Sequence, residues 1–75
     1  MCLGVPARVT AVAVEDGLLQ GDVDFGGAAR RVCLAYTPEV AVGDWVVVHA
    51  GFAIAVIDEA EAAATLRALA AIAEG

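Results

Sequence analysis

The sequence predicts a mainly β domain, a small five-stranded barrel followed by one C-terminal α-helix. Three observations carry that prediction. Residues 1–57 alternate short β-branched or apolar runs with turn residues, as strands and their connections do. From Asp58 the apolar spacing lengthens to a helical one. The chain has 75 residues, enough for one domain near the lower limit for burying its own core. Residues 1–57 are therefore assigned to the barrel with a projecting N-terminal tip, and residues 58–75 to the helix.

The elements follow in order. Arg8 to Val14 is β-branched and roughly alternating, and Glu15-Asp16-Gly17 supplies a turn. Leu19, Val23 and Phe25 then fall on odd positions with Gln20, Asp22 and Asp24 between them, the period of a half-buried strand. Gly26-Gly27 has the composition of a two-residue hairpin turn leading into a strand over Ala28 to Tyr36. That register sets Asp22 opposite Arg31 and puts Val32, Leu34 and Tyr36 on the face of Leu19 and Val23. Arg30 joins that face, its stem over the core and its head in water. Cys33 goes to the face of Asp22 and Arg31.

Thr37-Pro38 to Gly43-Asp44 reads as a connection, because Pro38 lacks a ladder donor. Trp45 to His49 and Phe52 to Ile57 are the last two strands, with Trp45 and Phe52 expected in the core. Five short strands with tight turns suit a closed or nearly closed barrel of the oligonucleotide-binding type. Asp58 followed by Glu61 has the pattern of a capping box, and Glu59 adds charge suited to the helix dipole. Leu66, Leu69 and Ile72 then form the apolar stripe of a helix ending near Gly75. No repeat, linker or second domain is visible.

Composition narrows the function. Hydrophobic residues make up 61% of the chain, mostly Ala and Val, so the core should be thin and built from small side chains. So short a chain has little room for both a core and a walled active site, which favours work by contact with other proteins. Ten acids against four basic residues give a formal charge of −6. Nucleic-acid binding neutralises phosphates with basic side chains, so this surface disfavours it, and an anionic membrane equally. No run of about 18 apolar residues offers a membrane span, and the N-terminus lacks a signal-peptide pattern. The expected location is the cytoplasm, where Cys2 and Cys33 remain thiols.

Four residue groups could carry chemistry. Removal of Met1 would leave Cys2 with a thiol and a free α-amine on one carbon, and the nearby ammonium favours the thiolate that attacks or binds metal. Gly4 and Pro6 are expected to interrupt pairing and let this tip project. The plainer reading is an apolar N-terminus whose second residue happens to be Cys. His49, the one histidine, ends an apolar run; it is read either as a surface or hydrogen-bonded residue or, through a neutral ring nitrogen, as a ligand to iron or zinc. One His and two Cys cannot complete a four-ligand zinc site without carboxylates. Cys33 is given a packing role. Asp22 and Asp24 read as a solvated face rather than a catalytic pair.

Two blocks and a helix together resemble a known family. Met1-Cys2-Leu3-Gly4-Val5-Pro6 resembles the signature N-terminus of the HypC/HupF hydrogenase maturation chaperones. Val42-Gly43-Asp44-Trp45-Val46-Val47-Val48-His49-Ala50-Gly51-Phe52-Ala53-Ile54 resembles the family's second block, and the likeness runs through Ile57-Asp58-Glu59 into the helix. Glu15 to Tyr36 is the least diagnostic part. Ala7 stands where many relatives have Gly, and Trp45 where Tyr is common.

The resemblance implies an accessory chaperone rather than an enzyme, monomeric when free. It implies partnership with a HypD-type iron–sulfur protein while an iron carrying cyanide and carbon monoxide is assembled. It further implies delivery of that unit to the precursor of the NiFe-hydrogenase large subunit. By resemblance, Cys2 serves partner contact and iron binding, His49 is the second candidate ligand, and Leu3, Val5 and Pro6 belong to the contact surface around the tip. Two protein ligands suit an iron that already bears diatomic ligands and must be released. The alternatives are a metal-free barrel adaptor and a thiol enzyme pairing Cys2 with His49, for which no orienting group or oxyanion donor is recognisable.

Overall fold

The structure, a computed structural model, describes residues 4–74, with side chains described to residue 71. Its elements are β1 (Val5–Glu15), β2 (Leu18–Asp24), β3 (Ala29–Cys33), β4 (Trp45–His49), β5 (Phe52–Ile57) and α1 (Glu59–Glu74). The strands close into a barrel in the order β1-β2-β3-β5-β4. All pairings are antiparallel except β3 with β5, which meet at Cys33 and Phe52.

Closure depends on β1, which serves two neighbours. Its first stretch pairs with β4, from Val5 opposite Val48 to Arg8 opposite Trp45. The remainder pairs with β2, and the register shifts between Val9 and Ala11, leaving Thr10 as an extra residue. Such a bulge bends a strand and increases its twist. At the bend the backbone changes partner: Val9 N–H donates to the Asp44 carbonyl at 2.8 Å, and Gly43 N–H donates to the Val9 carbonyl at 2.8 Å.

The three hairpin turns follow from local chemistry. Asp16 and Gly17 both take positive φ, 52° and 79°, as a two-residue turn matching strand twist requires. Gly26 and Gly27 close β2 onto β3, with Phe25 N–H donating to the Ala28 carbonyl at 3.0 Å. The Asp24 carboxylate accepts from Gly27 N–H at 2.7 Å. The resulting register sets Asp22 opposite Arg31, as the sequence predicts. The third turn, between β4 and β5, belongs to the candidate site.

The core is thin. Ala7, Val9, Val23, Val32, Leu34, Val40, Val46, Val48 and Ala53 are buried, with Leu19 and Phe25 packed against them. Leu34 is the largest fully buried side chain, and the strands draw close around it. A Cβ added at Gly21 would lie 2.5 Å from the Ala11 carbonyl oxygen and 2.7 Å from Leu34 Cδ1. The glycine inside β2 is therefore a close approach of backbone to core.

Several expectations require correction. Pro6 does not interrupt pairing: β1 begins at Val5, and Pro6 lies opposite Val47 in the β1–β4 ladder. Pairing of β1 with β2 begins only at Arg8, so Val5–Ala7 keeps one free edge. A proline nitrogen facing such an edge removes no ladder bond. Strand β3 ends at Cys33 rather than Tyr36, because the chain turns after Leu34. Leu34 N–H donates to the Leu19 carbonyl at 2.9 Å, then Thr37 N–H donates to the Leu34 carbonyl at 3.0 Å. Tyr36 is consequently 69% exposed rather than on the core face. Phe52 is likewise outside the core, 43% exposed, and Trp45 is half-buried.

The helix begins as predicted, with Glu61 N–H donating to the Asp58 carboxylate at 2.7 Å. Its packing stripe differs from the expected one. Ala62 is fully buried, Thr65 and Leu69 are half-buried, and Leu66 is 38% exposed. Small residues at Ala62 and Thr65 let the first turns approach β1 and β4 more closely than a leucine stripe would. The side chain of Ile72 lies outside the described residues.

Candidate functional site

His49 is placed by the hairpin that joins β4 to β5. The connecting residues are Ala50 (φ 54°) and Gly51 (φ 86°), both left-handed. That is the turn in which both central residues have positive φ and whose twist matches the flanking strands. Gly adopts it freely, whereas Ala does so against a steric penalty. Across the turn His49 lies directly opposite Phe52. On the far side of β5, Phe52 meets Cys33, and Cys33 N–H donates to the Gly51 carbonyl at 2.9 Å. The turn is thus tied to β3 as well as to its own strands.

At this same end of the barrel the N-terminal segment arrives. Val5 lies opposite Val48, and a Cβ at Gly4 would sit 2.6 Å from the Val48 carbonyl oxygen. The nearest side-chain atom to that Cβ would be Val47 Cγ1, at 2.7 Å. The chain thus enters the barrel against the strand end that carries the histidine. Cys2 and Leu3 lie outside the described residues. Of the expected contact surface, Val5 is 42% exposed, while Pro6 is fully buried and holds the entry strand from within.

His49 is exposed. Among the described residues no three His, Cys, Asp or Glu side chains stand close enough together to hold a metal ion. The imidazole can therefore supply one donor to a metal whose other ligands come from elsewhere. Cys33, half-buried, stands two strands away from His49 with Phe52 between them.

Two other features are structural. A recess of about 150 Å³ is lined by Arg8, Gly43, Asp44, Trp45, Ile57, Asp58 and Glu59. It lies at the start of β4, the opposite end from His49, and two of its carboxylates are already engaged. Asp44 accepts from Ala41 N–H at 2.9 Å, and Asp58 caps α1. On the outer face of β2 and β3, Arg31 Nε donates to Asp22 at 2.7 Å and the same guanidinium binds Glu15. The hydrogen bond to Asp22, then the charges of Asp22 and Glu15, raise the Arg31 pKa above its ordinary value. This exposed network ties β1, β2 and β3 together and leaves the β2 acids as a solvated face.

Sequence reasoning gave Gly4 only the part of interrupting pairing, and missed both its close approach to β4 and the Tyr36–Phe52 pair, whose rings lie 5.9 Å apart at 51°. A signal for Phe52 was present. In Phe52-Ala53-Ile54-Ala55 the bulky residues alternate with alanines, and buried Ala53 marks the inner face. Among the described residues no helix is long and apolar enough to cross a membrane.

Comparison with known proteins finds relatives over most of the chain. The HupF/HypC family matches residues 1–69. A hydrogenase maturation factor HypC of Synechocystis is 49% identical over 68 residues, covering 88% of this chain and 90% of that protein. The hydrogenase maturation factor HybG of Escherichia coli is 47% identical over 73 residues, covering 92% and 88%. A HypC of Rhodobacter capsulatus is 44% identical over 73 residues, covering 92% and 75%.

Proposed function

The chain belongs to the HupF/HypC family and is a hydrogenase maturation factor; on that premise we propose that it carries an iron bearing cyanide and carbon monoxide. In this reading it works with a HypD-type iron–sulfur protein and delivers the unit to the precursor of the NiFe-hydrogenase large subunit. Iron is cargo here, and the protein is an accessory chaperone of the cytoplasm rather than an enzyme.

One observation supports the proposal above the others: β1 enters the barrel against the end of β4, next to His49. Cys2 precedes Val5 by three positions. At roughly 3.3–3.6 Å per residue, that span keeps Cys2 within about 11 Å of the strand pair beside the histidine. The thiolate and the imidazole are then two donors of suitable chemistry for iron, one soft and one borderline. Lone donors at an exposed edge bind less firmly than a closed four-ligand cage, which suits a carrier that must release its load. Val5, exposed beside the tip, joins Cys2 and Leu3 in the proposed partner contact, with Pro6 as its buried support.

The test is an anaerobic pull-down of the C-terminally tagged chain from hydrogenase-expressing cells, beside Cys2→Ala and His49→Ala. Recovery of the iron–sulfur partner or the large-subunit precursor with the unsubstituted chain, and its loss with Cys2→Ala, is the expected result. Equal recovery of the same partners by all three proteins would sink the carrier reading and return the function to a metal-free adaptor.

A further inference from the structure

His49 has an aromatic neighbour. On its β5 side stands Phe52, directly opposite across the hairpin. Residues so paired project to the same face with Cβ atoms roughly 4.5–5.5 Å apart. Phe52 is itself supported from behind, by the ring of Tyr36 at 5.9 Å and by its pairing with Cys33. On the β1 side, Gly4 lies close against β4, where an added Cβ would be 2.6 Å from the Val48 carbonyl oxygen and 2.7 Å from Val47 Cγ1.

The backbone under this pair is held firmly. Ala50 keeps a left-handed conformation that alanine disfavours, and the Gly51 carbonyl is pinned by Cys33 N–H at 2.9 Å. Backbone strain of this kind persists only where the surroundings over-determine it, and it concentrates at functional sites. Here it keeps His49 and Phe52 face to face. The core gains nothing from an aromatic at this position, since Phe52 is 43% exposed and lies on the outer face.

From these observations we infer that Phe52 is the positioning residue for His49: its ring, backed by Tyr36, walls off the β5 side and restricts the rotamers open to the imidazole. The inference rests on the reading of His49 as an iron ligand. An exposed histidine on a strand end samples several rotamers, and each one excluded by Phe52 is ordering that binding no longer has to supply. Tyr36 has the same role at one remove, holding the Phe52 ring against the histidine.

His49 is the one histidine in the chain, so its imidazole protons can be followed without ambiguity by NMR. The unsubstituted protein, Phe52→Ala, Phe52→Leu, Phe52→Tyr and Tyr36→Ala are compared, each with its amide spectrum as a check of fold. The expected result is an imidazole shifted by the neighbouring ring in the unsubstituted protein and in Phe52→Tyr, and moved to the free-histidine position in Phe52→Ala and Phe52→Leu. Anaerobic titration with ferrous iron alone should then show about tenfold weaker binding for Phe52→Ala, as loss of a ligand-orienting partner does elsewhere, with Phe52→Tyr restoring it. Phe52→Leu keeps bulk without a ring, so a failure of the alanine variant to fold leaves the comparison intact. Identical imidazole positions in the unsubstituted protein and a folded Phe52→Leu would overturn the inference. Ferrous binding unchanged in His49→Ala would instead remove the ligand reading, while the imidazole spectra would still decide whether Phe52 orients it.

Discussion

Ala50 and Asp16 occupy the same position in two otherwise similar turns, followed in each case by a glycine with positive φ. Aspartate tolerates the left-handed region because its short side chain bonds locally; alanine has no such compensation. Ala50→Gly should therefore raise stability by about 0.5–1 kcal/mol in chemical denaturation, the left-handed penalty of about 1–2 kcal/mol less the extra folding entropy glycine loses. No gain would mean that the turn relaxes at no cost. Gly21 is the opposite case, a glycine chosen for space rather than for φ. With backbone and Leu34 already inside contact distance of an added Cβ, Gly21→Ala should destabilise the fold by about 1–3 kcal/mol, the cost of overpacking. Leu34→Ala should cost about 2–5 kcal/mol, because Leu34 is fully buried and its removal leaves a cavity in the core. A loss under about 1 kcal/mol for Leu34→Ala would contradict its place at the centre of the core.

The helix and the bent strand each show how an element is set by a few contacts. Helix α1 starts where Asp58 caps it, and Ala62 is its one fully buried residue among those described. Its hold on β1 and β4 is therefore concentrated in the first turns. Asp58→Ala should lower stability by about 1 kcal/mol, the typical effect of losing a cap. Its signature should be faster amide exchange in α1, with the barrel strands protected as before. Uniform loss of protection across the barrel would show that helix and barrel are one cooperative unit. In β1, the extra residue Thr10 turns a continuous strand from β4 towards β2, and the Thr10 hydroxyl donates to the Asp22 carbonyl at 3.2 Å across the bend. The Arg31 network pins the same region from outside, and because both its ion pairs are exposed, its contribution should fade as salt is raised.

For the molecule as a whole, closure of the barrel separates the core from the candidate site. The core lies inside the strands, whereas His49, Phe52 and Val5 lie on or beside the rim. His49→Ala should accordingly leave the unfolding free energy within about 0.5 kcal/mol of the parent while weakening the ferrous-iron binding proposed for it, because exposed substitutions seldom disturb a fold. A large loss of stability would give His49 a structural role. Much of this architecture was legible from the residues. Alternation between Leu19 and Phe25, the Gly26-Gly27 turn and the Asp58 cap are local signals, and local backbone preferences decide them. That is why the Asp22–Arg31 pairing and the start of α1 follow from sequence alone, as does membership of the HupF/HypC family through its two motif blocks. The burial of Pro6, the exposure of Tyr36 and the choice of Ala62 over Leu66 as the helix contact do not follow. Each depends on which surface another part of the chain happens to cover. Pro6 is tolerated because its neighbour on one edge begins three residues later than β1 does, at Arg8. Phe52, by contrast, faces outward because the two-residue turn pairs it with exposed His49 and Ala53 takes the inner face. Local preference wrote the strands and turns, but only barrel closure, which joins residues far apart in the chain, decided which of their faces became the core and which the working edge.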